Sequence, residues 1–316
     1  MISEAQESLI SKAKTPGTWA NVNTQSKKYE EFCVKYRLQA YPASPDGLAA
    51  FITHLFLEEK GFGTIKNYLS SINTSQQMEG LPPVVQTLKV KLTLAGVKKL
   101  TALQATQARP ITANMLKIMS LKVDPTDSEQ LAAWAAIVVG FHLLLRKSNL
   151  VPDVPKAFSP WRQLTRGSFK RHGSLFLVKY SWSKNNQFGR ELIVPLAPNG
   201  SLACPVFVME LLAELVPANR FDHAFSYVSK SGTVRPLSYP QLQFWLKHWV
   251  NAIGLNAQHY SSHSLRRGGA TQAFRFNMPA DKIKMLGDWA SECYQQYLSF
   301  TLADRIGLAH QLAALF

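Results

Sequence analysis

The stretch SSHSLRRGGAT, beginning at Ser261, sets His263 three residues ahead of Arg266. On a helix, positions i and i+3 share a face. The planar fork of an arginine holds a phosphate through two oxygens and stays charged at any working pH. A histidine beside it donates to another phosphate oxygen or moves a proton. The nearest carboxylates along the chain are Asp222 and Asp281, so the pair carries no local counter-ion. The expected partner is an anion from outside. Gly268 and Gly269 follow, and lacking side chains they let a backbone approach, that of a neighbouring helix or of a ligand.

Three other places carry groups of the same chemical kind. FHLLLRKSNLVP ends an apolar stretch on Arg146. Burying an arginine unpaired is costly, so it must reach solvent, a carboxylate or a ligand. Lys184 sits in KNNQFG, between two β-rich runs, where it can swing into a cleft and protonate a leaving oxygen. LGDWASECYQQYLSF brings Trp289, Tyr294 and Tyr297, and a tyrosine hydroxyl can act as a covalent nucleophile. Taken singly, each group reads as readily as a snorkelling arginine, a solvated turn lysine or a packed aromatic.

The elements that must position these groups are mainly helical. Within 1–100, TWANVNTQSKKYEEFCVKY, SPDGLAAFITHLFLEEKG and GTIKNYLSSINTSQQMEG show apolar residues at helical spacing, the second behind a Ser/Asp cap. LTALQATQARPIT (100–112) is small, polar and interrupted by Pro110, and reads as a linker. Helices are expected over 112–122, 128–150, 202–216, 238–253, 263–276 and 279–287, with another near the C-terminus. GSLFLVKYSWS and RELIVPL read as two strands of a hairpin, with Asn and Gly in its turn. The run LAAWAAIVVGFHLLL (131–145) is too short for a membrane span, contains His142, and reads as a buried core helix.

Composition sets the class of partner. With 316 residues and 46% hydrophobic content, the chain can build one large or two ordinary domains. It holds 35 Lys+Arg against 20 Asp+Glu, a net charge of +15 that favours polyanions. No Asp or Glu falls between Glu79 and Asp124, Asp153 and Glu191, or Asp222 and Asp281, windows holding 7, 8 and 6 Lys+Arg. Long acid-free basic windows build a one-sign surface that follows a phosphate backbone. Cys33, Cys204 and Cys293 show no CxxC spacing, which argues against a zinc site or a disulfide framework. The N-terminal MISEAQESLISKAK has no apolar segment of signal-peptide kind.

Arg, hairpin Lys, His-x-x-Arg, then Trp and Tyr, in this order and at these separations, resembles the tyrosine recombinase (phage integrase) family over the whole chain. RKSNLVP, the acid-free hairpin and HSLRRGGAT are most similar to recombinases of eukaryotic mobile elements of the Crypton, DIRS or Ngaro kind. The resemblance implies a mainly α fold with a small antiparallel β-sheet, built as a two-domain DNA clamp. Residues 1–108 would be a helical core-binding domain and 109–316 the tyrosine recombinase catalytic domain. It implies that Arg146 and Arg266 clamp the scissile phosphate, Lys184 protonates the departing 5′ oxygen, and His263 manages the nucleophile's proton. Tyr297 would attack phosphorus. It lies nine residues after Asp288, the family's spacing, and so is preferred to Tyr294.

Two positions depart from the family pattern. Asn149 stands where many relatives have Glu, and is expected to orient Arg146 by a neutral hydrogen bond. Asp288 stands where His or Trp is usual. It is expected to turn away from the phosphate, leaving Trp289 to donate its indole N–H or to pack against the site. Lys66, Asn67 and Tyr68, the basic linker Lys89, Lys91, Lys98 and Lys99, and Lys147, Arg190 and Arg267 are the expected DNA contacts. The chemistry needs no metal or other cofactor. The family implies double-stranded DNA with a specific site as partner, a dimer on each site and a synaptic tetramer, with no membrane. The tail ADRIGLAHQLAALF is apolar at helical spacing and docks on a neighbouring protomer or covers its own domain. A eukaryotic source would place the protein in the nucleus. A type IB topoisomerase and a DNA-binding descendant with disabled chemistry remain alternatives. A metal-dependent nuclease is disfavoured because no acidic cluster is visible for magnesium.

Overall fold

The computed structural model describes residues 2–84, 86–102, 108–182, 191–289 and 291–298, together with Ile306 and His310. They fall in two compact units, Met1–Thr106 and Gln107–Phe316. The first is helical: α1 Ile2–Lys12, α2 Pro16–Lys35, α3 Pro45–Leu57, α4 Phe62–Met78 and α5 Leu88–Ala102. Thr15 and Ser44 cap α2 and α3 by accepting from the backbone N–H of Thr18 and Gly47, and each helix starts on a proline. Tyr29, Phe51, Ile52, Ile65 and Ile72 form its core. Val90 and Val97 lie buried on one face of α5. Lys89, Lys91, Lys98 and Lys99 are therefore helical, not part of a linker, and α5 runs into the segment read as one.

The second unit comprises α6 Ala113–Ser120, α7 Ser128–His142, α8 Lys147–Leu150, β1 Phe169–His172, β2 Leu175–Tyr180, β3 Leu192–Leu196, α9 Pro205–Leu215, β4 Ser226–Val228, β5 Val234–Pro236, α10 Tyr239–Ala252, α11 Ser262–Arg275 and α12 Ala280–Leu286. A 3₁₀ segment, Glu292–Tyr297, follows. Asp127 caps α7, and every residue from Leu131 to Phe141 is buried. The helix packs against α9, α10 and α11, as a core helix should. No helix among the described residues is long and apolar enough to cross a membrane.

The helix expected over 128–150 is in fact two. Leu144 adopts a left-handed backbone (φ 49°), and the Leu145 N–H donates to the Gly140 carbonyl at 3.1 Å. This is the bond pattern that stops a helix, normally marked by Gly or Asn. Here the left-handed residue is a leucine, 1% exposed, so burial of its side chain stands in for the missing glycine.

Strands β2 and β3 pair antiparallel as expected, with Val178 opposite Val194. A third strand, β1, pairs with β2, and β4 with β5 form a separate two-stranded sheet. Neither was expected from the sequence. FKRH is mostly exposed and lacks apolar alternation, and β4 and β5 span three residues each.

Candidate active site

Helix α11 supplies His263 and Arg266, and its geometry explains how a buried arginine survives. Arg266 is 2% exposed. Its Nη1 donates to the Leu144 carbonyl and its Nη2 to the Gly287 carbonyl at 2.5 Å. Both acceptors lie at helix ends. Helix α12 closes as α7 does, with Asp288 left-handed (φ 50°) and the Trp289 N–H donating to the Lys284 carbonyl at 3.0 Å. Carbonyls at a helix C-terminus carry partial negative charge. Two helix ends thus do for Arg266 what a carboxylate would otherwise do. The Trp289 ring covers the guanidinium, with Cζ 3.8 Å from the ring centroid, so the indole takes the packing role. Burial first, then Arg146, pushes the Arg266 pKa down to about 10, which leaves it charged at neutral pH. Its buried Nε has no hydrogen-bond partner among the described residues.

Gly268 and Gly269 serve this seating. A Cβ on Gly268 would lie 1.8 Å from the Ile111 carbonyl oxygen, and one on Gly269 2.3 Å from the Phe141 carbonyl oxygen. The backbone they admit is the protein's own. The Ile111 N–H donates to the Ser264 carbonyl at 3.0 Å, which ties the start of the unit to α11.

Arg146 precedes α8, with 18% of its side chain exposed. Its Nη2 lies 3.4 Å from the Asp288 carbonyl oxygen and its Nη1 3.6 Å from Asp288 Oδ2. Asp288 therefore does not turn away. The left-handed turn aims both its carbonyl and its carboxylate at Arg146, a counter-ion remote in sequence. The expectation for Asn149 is likewise corrected. Its Nδ2 donates to the Trp182 carbonyl at 2.6 Å, and among the described residues its side chain makes no hydrogen bond with Arg146. It anchors the hairpin base instead.

Tyr180, at the end of β2, was not anticipated. Burial and then Asp288 raise its pKa to about 12, against the pull of Arg266 and Arg146. The hydroxyl stays protonated beside the two arginines. A tyrosine in a strand carries no sequence signal beyond β-propensity.

The imidazole of His263 is held below its ordinary pKa, by desolvation first and then by Arg266, Lys147 and Arg146. It is neutral at neutral pH, and these three cations act on it together. A groove of about 260 Å³ is lined by His263, Arg267, Ser261, Gln296 and Tyr297. Tyr297 is half-buried, and its ring lies 5.5 Å from Arg266 Cζ and 5.3 Å from the Trp289 ring. Tyr294 is 6% exposed and packs into the small cluster of Leu144, Ala270, Ile283 and Trp289. Of the two tyrosines, only Tyr297 lines the groove.

The other expected residues are dispersed. Lys184 and Arg190 lie outside the described residues, as does nearly all of the C-terminal tail. Lys147 pairs with Asp153 at 2.5 Å and covers the Tyr239 ring at 4.1 Å. In the first unit, Lys66 and Lys98 flank the Phe62 ring at 5.9 and 6.0 Å. Asn67 and Lys99 are exposed, whereas Tyr68 turns its ring to Phe51, 5.8 Å away. Lys89 is paired with Asp46 at 2.6 Å.

No family model matches the chain. It is 22% identical over 276 residues to an integrase/recombinase XerD homologue of Selenomonas ruminantium, covering 86% of this chain and 77% of that protein. It is similar to the Tn1549 transposon integrase solved in complex with transposon right end DNA, with TM-score 0.61 and 12% identity over 93% of this chain and 94% of that one. For a lambda integrase dimer bound to a COC′ core site, the TM-score is 0.56 at 17% identity, over 96% and 94%. At such identities it is architecture that is shared, and the architecture is that of the tyrosine recombinases and integrases.

Proposed function

We propose that this chain is a tyrosine-type site-specific DNA recombinase that cuts and rejoins strands through a covalent 3′-phosphotyrosine. One observation carries the reading: His263 and Tyr297 line one groove, the Tyr297 ring lies 5.5 Å from Arg266 Cζ, and Arg146, remote in sequence, acts with Arg266 on the His263 imidazole. The phenolic oxygen of Tyr297 forms a bond to phosphorus as the bond to the 5′ oxygen breaks. Neutral His263 takes the phenolic proton. Lys184 gives a proton to the departing 5′ oxygen. Arg146 and Arg266 neutralise charge growing on the non-bridging oxygens. The phosphodiester energy is kept in the new bond, so a 5′-hydroxyl of another strand reverses the step without ATP. Recombination then proceeds by paired strand exchange through a Holliday junction, within a tetramer, as expected of a mobile-element recombinase in a nucleus.

A second reading, a DNA-binding chain with weakened chemistry, is favoured by the carboxylate of Asp288 on Arg146. One assay separates the two. The chain is incubated in EDTA with nicked duplexes carrying candidate target sites, and covalent adducts are resolved on denaturing gels. The recombinase reading expects an adduct that Tyr297→Phe abolishes and Tyr294→Phe retains. Loss with Tyr294→Phe and survival with Tyr297→Phe would reassign the nucleophile. No adduct on any duplex would favour the binding-only reading.

A further inference from the structure

A second groove, of about 330 Å³, opens between α9 and the three-stranded sheet. Phe169, Phe176 and Met209 wall it, and Ala213 and Pro217 lie at its mouth. Arg166 is the only charged residue among the described ones that line it. None of these residues lines the groove of His263 and Tyr297. We propose that this second groove binds a small organic acid, its carboxylate on Arg166 and its aromatic or short aliphatic body against the phenylalanines. The inference does not rest on the recombinase reading.

The walls follow from the strand register. Phe169 stands opposite Val178 and Arg171 opposite Phe176, so alternation puts all four on one face of the sheet. Val178 is fully buried, which turns that face toward the core. The Phe169 and Phe176 rings meet edge to face, with centroids 6.0 Å apart. Met209 and Ala213 are four residues apart and share a side of α9. Arg171, over the Phe176 ring at 5.5 Å, is ion-paired with Glu210 of α9, so its charge is already answered.

The charge of Arg166 is not. This residue opens a 3₁₀ turn, Arg166–Ser168, and its backbone N–H donates to the Asp222 carbonyl at 2.9 Å. Its side-chain Nε and Nη2 are buried and have no hydrogen-bond partner among the described residues. Among them, the one carboxylate that acts on it is that of Asp222, whose Oδ2 accepts from the Asn219 N–H at 2.7 Å. Burial draws the Arg166 pKa down to about 10, against the pull of Asp222, and leaves the guanidinium charged at neutral pH. Buried donors without acceptors are costly, and a purely apolar residue would serve packing alone better. A carboxylate answers both the charge and the planar fork. Two aromatic rings and a thioether suit a ring or a short chain attached to it. The volume lies at the small end of ligand pockets, about 300–1,000 Å³, which limits the body to about one ring.

The test uses the full chain and 3-phenylpropionate, with 3-phenylpropanamide as its uncharged counterpart, followed by saturation-transfer NMR. The acid should bind about tenfold or more tighter than the amide, the effect of hydrogen bonds to a charged group. Arg166→Met keeps the apolar stem and removes the cation. It should bind acid and amide alike, and its thermal midpoint without ligand should be no lower than that of wild type. Arg166→Lys should keep the preference for the acid. Ala213→Phe, at an exposed position, should fill the groove and weaken both ligands. Equal binding of acid and amide by wild type would overturn the proposal. So would wild-type affinity for the acid in Arg166→Met, or no saturation transfer to millimolar acid. A sharply lowered midpoint in Arg166→Met would make Arg166 a structural residue and overturn it as well. Covalent adduct formation on DNA is not read in this experiment, so its outcome leaves the recombinase reading untouched.

Discussion

At the scale of single residues, the decisive feature is the carboxylate that the fold places on Arg146. Asp288 is bonded to Arg146 through its backbone carbonyl and also opposes it with Oδ2. A phosphate held by Arg146 meets that negative charge. Asn tolerates the left-handed backbone, and Asp288→Asn keeps the carbonyl contact. This variant should bind nicked duplex roughly three- to tenfold tighter, the effect of removing one like charge from a partly solvated site. Fluorescence anisotropy at fixed salt checks it, and weaker binding would mean that Asp288 chiefly orients Arg146. His263 supports a second expectation. Its pKa is lowered, so the neutral, proton-accepting form persists below the ordinary imidazole value of about 6.5. Single-turnover adduct formation should fall only on the acid side of that value. His263→Gln should be slow and should lose the acid limb.

Among elements, the site depends on how two helices end and on how closely a third approaches them. The ends of α7 and α12 both present carbonyls to Arg266, and α11 reaches them because positions 268 and 269 carry no side chain. Gly268→Ala would drive a methyl into the Ile111 carbonyl. Overpacking of this kind costs about 1–3 kcal/mol, or more where backbone must move. Denaturant unfolding should show a lowered midpoint with an unchanged slope, and adduct formation should fall with it because Arg266 loses its seat. The helical spacing of α11 was legible in the sequence, as were the types of its residues. Its glycines were readable as a close approach, but whether to protein or to ligand depended on Ile111 and Phe141, distant along the chain.

For the whole molecule, charge and buried histidine set the response to solvent. His223, 1% exposed, donates from Nε2 to the Leu150 carbonyl at 2.7 Å, and burial holds its pKa at about 4. The unfolded chain takes up this proton near pH 6.5, the native chain only near pH 4. The neutral state's stability is thus complete above about pH 6.5 and is lost as pH falls. The loss accrues at about 1.4 kcal/mol per pH unit, on the order of 3 kcal/mol in all. Urea unfolding at neutral and acidic pH should show this loss, and His223→Gln should show a shallower dependence. The net charge of +15 belongs to the same scale.

The sequence alone determined what depends on residue type and local spacing. The polyanion preference, the buried helix around 131–141, the β2–β3 hairpin and the shared face of His263 and Arg266 all follow from composition and periodicity. The tertiary structure decided what depends on partners far along the chain. It ended α7 at a left-handed leucine, brought Asp288 to an arginine 142 residues away, and turned Tyr297 rather than Tyr294 toward the groove. Local periodicity records which face of an element is apolar. Which carbonyl, ring or carboxylate finally meets that face is set only when the remote elements pack.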